Sequence, residues 1–339
     1  MKTITLGLAV TAPEHRRRSL IPFIALVAVA VIAASSATSA AAKPPGLNGK
    51  IVTNSDNLVT GEEQVYTVDP DGTDQQLVYN NSEVGAWSPD GRRIPLFLQP
   101  GPELLFDVDT GGSIDFGLPF DRYPDLALFC GVWSPDGARL ACEGFGQTDP
   151  SLNGVYTLRA SDGGDLQRVT YDPNGDDAPS DYSPNGNRLV FTRANDTTYE
   201  LDTVKLDGSG MKRITPEGMD FNFGNGNWSP QGNQIVFSAH VPSGDYHSSV
   251  WVVHFDGSGL RQLPIAGPCG GPFADPTTYG CFNPVWSPDG SKIAFGRNQG
   301  DGQRDLYTVN ADGSGLFQVT HTPDISEFNG DWGTHPLMP

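Results

Sequence analysis

The chain has 339 residues, with 41 Gly, 28 Pro and only 18% charged residues. That balance excludes long helices and coiled coils and favours many short strands joined by turns. A net charge of −19 excludes a surface for nucleic acid. A hydrophobic content of 37% with 17 Phe excludes a disordered chain.

The first element in chain order is an export signal over residues 1–42. His15-Arg16-Arg17-Arg18 forms a basic start, residues 20–34 are almost wholly apolar, and residues 35–42 are small with A-x-A-like cleavage sites near Ala40 and Ala42. Arg17-Arg18-Ser19-Leu20-Ile21 loosely matches a twin-arginine signal. Only an uncleaved signal would place the protein at a membrane. Without residues 1–40 the chain keeps 17 basic and 39 acidic groups, a net charge of −22.

From residue 43 to 339 we expect one domain built of repeats. Residues 49–79 supply three strands, beginning at Ile51, Val65 and Gln76, with no aromatic strand before them. Then Trp87, Trp133, Tyr182, Trp228 and Trp286 each open a Ser-Pro-x-Gly turn, and Trp332 stands alone near the end. The aromatic spacings are 46, 49, 46, 58 and 46 residues, a period that holds about four strands. In Ser-Pro-Asp-Gly, Pro presets φ, Asp bonds its own backbone and Gly supplies positive φ. A strand beginning at Ile94, Leu140, Leu189, Ile235 or Ile293 follows each turn. A third strand ends in Asp-Gly at Asp71, Asp162, Asp207, Asp256 and Asp312, and a fourth strand follows. The expected fold is an all-β, six-bladed propeller with four antiparallel strands per blade. The N-terminal strands pair with the strand carrying Trp332 and close the ring. Blade 2 departs most, with Pro95 in its second strand and Asp109-Thr110-Gly111-Gly112 in place of Asp-Gly.

At these residues the sequence resembles the TolB-like β-propeller family, whose repeats carry a Trp-Ser-Pro-Asp-Gly turn and an Asp-Gly-Ser-Gly-type turn. The latter is intact at residues 207–210, 256–259 and 312–315. The resemblance covers residues 48–333 and rests on turn and core positions, so it speaks for fold. It implies a periplasmic protein that binds another envelope protein. It does not extend to the additional α/β domain that the family's namesake carries before its propeller, for which the stretch after the signal leaves no room.

Antiparallel four-stranded blades put the first and third turns of every repeat at one end of the ring. The remaining connections lie at the other end, and there the lengths vary: 119–128, 171–179, 216–222, 264–282 and 321–327. Loops on a rigid scaffold carry binding residues, so this is the expected ligand face. Its candidate residues are Asp176, Asp177, Asp220, His240 and His321. Four cysteines, Cys130, Cys142, Cys269 and Cys281, suit two disulfides in an oxidising compartment; of three connectivities, nearest-neighbour pairing is the simplest. The sequence carries no nucleophile elbow, cofactor fingerprint or metal-ligand spacing. The expected function is an exported monomeric scaffold for a protein or cell-envelope polymer. The alternative is a polysaccharide-active enzyme, a lyase or glycosidase with a site at the central channel built from Asp176, Asp177, Asp220 and His321.

Overall fold

Serine hydroxyls build the hairpins that the repeat encodes. Ser88 Oγ donates to Asp90 Oδ1 at 2.5 Å and accepts the Arg93 N–H at 2.9 Å. Ser134 repeats this with Asp136 at 2.7 Å and Arg139 at 2.8 Å, and Ser287 with Asp289 at 2.7 Å and Lys292 at 2.9 Å. The turn glycines, from Gly91 to Gly290, hold φ between 68° and 75°, a region where a side chain is strained. At the other hairpin, Asp71, Asp207, Asp256 and Asp312 each accept the N–H two residues on at 2.9 Å. With both turns fixed in this way, a repeat can fold only as an antiparallel meander.

In the computed structural model, residues 47–98, 103–115, 122–194, 199–221, 226–240, 248–266, 280–298 and 303–334 are described. All lie in one compact unit, Ser39–Pro339. They form six sheets. Blade 1 orders Ile325–Trp332, Ile51–Asn57, Glu63–Val68 and Gln76–Asn80 from the inside outward. Blades 2 to 6 follow in chain order, and strands a to d run outward in each. Blade 1 is therefore composite. Its seam runs from Ile51 opposite Trp332 to Asn57 opposite Ile325, as expected from the sequence.

The seam carries an exchange of hydrogen-bond partners. In the five continuous blades the carbonyl two residues before strand b's first apolar residue accepts a backbone N–H from the end of strand c. The donors are Val108 to Arg92, Ala160 to Ala138, Leu206 to Asn187, Phe255 to Asn233 and Ala311 to Ser291. In blade 1 the corresponding donor position is Pro70, which has no N–H. There the Trp332 Nε1–H donates to Gly49 O at 3.0 Å instead.

The core lies between blades. Strand b supplies adjacent apolar residues, and each member of a pair serves a different interface. Ile51 packs with Val319 and Trp332 against blade 6, while Val52 packs with Val84 and Trp87 against blade 2. Ile51, Val52, Leu140, Ala141, Leu189, Val190, Ile293 and Ala294 are all fully buried. A sheet covered on both faces requires such runs.

Blade 2 accommodates Pro95 by ending strand a early, at Ser82–Val84. Pro95 O accepts the Gly85 N–H at 2.9 Å, so the ring nitrogen points the same way. The chain has already left the ladder there, because Ala86 N donates to Gly131 O of the next blade. In blade 5 strand a is split into Asp220–Phe221 and Asn227–Trp228, both paired with Gln234–His240.

Candidate functional site

The six a strands line a central channel. A cavity of about 290 Å³ in it is bordered by Trp87, Trp133, Tyr182 and Trp228 and by the bulges at which strand a breaks register, including Gly131, Ser180, Asn283 and Gly330. Among the described residues, no Lys, Arg or His lines it. Its polar groups also lock blade to blade. Asp331 Oδ2 accepts the Trp87 N–H at 3.0 Å. Asp181 Oδ2 accepts the Trp228 N–H at 2.8 Å, and Asn227 Oδ1 the Trp286 N–H at 2.8 Å. Sequence reading missed these residues. Their signal is the position just before the repeat aromatic, where Asp331, Asp181 and Asn227 stand in three blades and Ala86, Val132 and Val285 in the other three.

The residues expected on the ligand face lie on strand a of blade 4, on strands a and b of blade 5, and between blades 6 and 1. Asp177 is 1% exposed. Its carboxylate accepts from Arg193 Nε at 2.8 Å, Arg193 Nη2 at 2.7 Å and Thr170 Oγ1 at 2.5 Å, so it ties strands a and b of blade 4 together. Asp176 sits beside it, in register with Ala194. Asp220 and His240 are register partners on strands a and b of blade 5. His321 is exposed between blades 6 and 1. Asp176, Asp177 and His321 do not border the channel cavity. Among the described residues, no three His, Cys, Asp or Glu side chains are grouped to hold a metal ion.

Burial raises the pKa of three carboxyls. Burial pushes Glu103 up to about 8, against one backbone hydrogen bond from Cys130. Burial, aided by Asp305, raises Glu327 to about 7, despite hydrogen bonds from Thr322 and Gln75. Burial raises Asp202 to about 6 and outweighs the pull of Arg193.

Cys130 and Cys142 stand opposite each other in blade 3 and form a disulfide, both fully buried. Cys281 is also disulfide-bonded and fully buried. Cys269, its expected partner, lies outside the described residues, as does most of the 264–282 connection.

This architecture defines a closed six-bladed propeller. No family model matches the chain. An uncharacterized protein of Agrobacterium fabrum is 29% identical over 222 residues, 62% of this chain and 68% of the relative. The Tol-Pal system protein TolB of Anaeromyxobacter dehalogenans is 28% identical over 138 residues, 41% of this chain. That match spans only 28% of the TolB relative's own length. Among solved structures, TolB from Acinetobacter baumannii superposes with a TM-score of 0.65 at 20% identity, over 84% of this chain and 66% of that one. The chain shares the six-bladed β-propeller fold of TolB.

Proposed function

We propose that the protein is an exported binding scaffold. It presents the b–c and d–a connections to a protein or a cell-envelope polymer and performs no chemistry on it. The observation that carries this is the confinement of length variation to one end of the ring. The a–b turns keep one Ser-Pro-x-Gly form in five blades, whereas the d–a connection of blade 5 exceeds the usual period by about a dozen residues. The TolB relatives support a protein partner in the cell envelope. The buried disulfide and the basic-apolar-small order of residues 1–42 support export with cleavage of the signal. The strongly acidic surface disfavours nucleic acid and anionic lipid as partners.

A Cys269–Cys281 bridge would hold the long connection in one shape and lower the entropy lost on binding. The test is crosslinked capture from native envelope extract, using the exported chain and a variant whose residues 267–279 are replaced by a short turn. The reading expects a defined partner that the shortened variant loses. Equal capture by both, or turnover of a peptide or polysaccharide by the purified chain, overturns it.

A further inference from the structure

At the opposite end of the ring, between the a–b hairpins of blades 4 and 5, lies a second cleft of about 240 Å³. It is bordered by Asn185, Arg188, Trp228, Gln231 and Phe255. The repeat explains why this groove differs from its sisters. The third turn residue is Asp90, Asp136 and Asp289 in blades 2, 3 and 6, but Asn185 in blade 4 and Gln231 in blade 5. The two exchanges are adjacent in the ring, so both hairpins flanking this one groove carry an amide instead of an acid. In a chain of net charge −19, the cleft lining contains no carboxylate among the described residues.

The exchanges also free hydrogen-bond donors. Asn185 Oδ1 does the work of the missing aspartate, accepting from Ser183 Oγ at 2.9 Å and Asn187 N at 3.1 Å. Its amide N–H groups are left over. Gln231 is too long for that role; Ser229 Oγ bonds Asn233 Oδ1 at 3.2 Å instead, and the exposed Gln231 amide stays out of the turn and lies against Gly290 of the blade 6 hairpin. Arg188 spends one N–H on Gly210 O at 3.3 Å. The indole Nε1–H of Trp228 has no partner although the residue is 3% exposed. An aromatic surface completes the cleft. Phe255, 40% exposed, packs on Trp228 with ring centroids 6.0 Å apart. The corresponding residue in other blades is Pro70, Val108, Ala160, Leu206 or Ala311.

We infer that this cleft is a binding site for a saccharide that carries a carboxylate. An exposed phenyl ring offers a face for the C–H side of a sugar ring. The Asn185 amide offers donors to hydroxyl and carboxylate oxygens, and the Arg188 guanidinium suits one carboxylate. The volume matches one or two sugar rings. An acidic peptide side chain would satisfy the arginine but leave the Phe255–Trp228 surface uncovered. The site lies at the end of the ring opposite the variable connections, and it stands whatever those connections bind.

The probes are glucuronic acid and the glucuronate–N-acetylglucosamine disaccharide, titrated by ligand-observed NMR and tryptophan fluorescence. Glucose, diacetylchitobiose and a Glu-rich peptide serve as controls. The decisive variant is Asn185→Asp with Gln231→Asp, which restores the side chain that three sister hairpins already carry and so keeps the fold. We expect the acidic sugars to bind at least tenfold more tightly than the neutral ones, and affinity to fall at least tenfold in that variant and in Phe255→Ala. Shortening residues 267–279 should leave the affinity unchanged, which separates this site from the variable face. Absence of acidic-sugar binding, equal affinity in the double variant, or preference for the peptide overturns the inference.

Discussion

Trp332 Nε1 donates to Gly49 O at 3.0 Å, at the one blade where Pro70 cannot supply the N–H that the other five blades use. An indole from the last strand thus replaces a main-chain donor and ties the end of the ring to its beginning.

Trp332→Phe should destabilise the fold by about 1–3 kcal/mol, the cost of leaving a buried carbonyl unsatisfied. Pro70→Ala should restore much of that loss, because it returns the missing N–H. Denaturant unfolding of the two single variants and the double variant gives the coupling directly. Equal losses with and without Pro70 would show that the indole matters only by its volume.

Asp331 and Asn227 perform the same task for Trp87 and Trp286 with different chemistry. Asp331→Asn should therefore change thermal stability little. Asp331→Ala should cost roughly 1–3 kcal/mol, because it orphans a buried N–H. A calorimetric melt of the two variants distinguishes hydrogen bonding from charge at the channel wall.

Gly72 and Gly61 both hold positive φ, 86° and 72°. A methyl group on Gly72 would stand within contact distance of Val319 O in blade 6, whereas one on Gly61 meets nothing within 4 Å. Gly72→Ala should lower the melting temperature clearly more than Gly61→Ala, since the first adds a clash across the blade interface to the backbone strain common to both. Similar melting temperatures would argue that the blades slide apart at no cost.

Stability should fall as pH rises from about 4.5 through 8. Glu103 and Glu327 have folded-state values raised to about 8 and about 7. The folded chain holds their protons longer than the unfolded chain, and the stability this provides is lost as pH climbs through those values. Glu327→Gln should flatten part of that decline and raise stability at pH 8, by a few kcal/mol at most, since one pKa unit is worth about 1.4 kcal/mol. A Gln keeps the acceptor for Thr322 and Gln75. Chemical denaturation between pH 5 and 8 reads the effect, and an unchanged slope in the variant would locate the titration elsewhere.

Cys130 and Cys142 are fully buried, so the native protein should resist dithiothreitol until it unfolds. Replacing both with Ala should cost about 3 kcal/mol, from a closed loop of a dozen residues. Mass spectrometry after alkylation under native conditions checks the first expectation and a melt the second.

The sequence by itself determined the blade count, the strand order and the closure. Each rests on turns whose geometry is local: a Ser-Pro-x-Gly hairpin folds from its own hydroxyl, carboxylate and glycine. It also showed the cross-hairpin partnership of Cys130 and Cys142 as one possibility among three pairings. Only the tertiary structure decided what the polar residues do. Asp177 is, in sequence, an acid near a variable loop; folding puts Arg193 and Thr170 around it and removes it from solvent. Asn185 and Gln231 lie 46 residues apart and look like two weak copies of a turn. They acquire meaning only because ring closure sets consecutive hairpins side by side, where two lost charges become one cleft. Local turn chemistry is written in neighbouring residues, but burial and electrostatic surroundings depend on which blades meet.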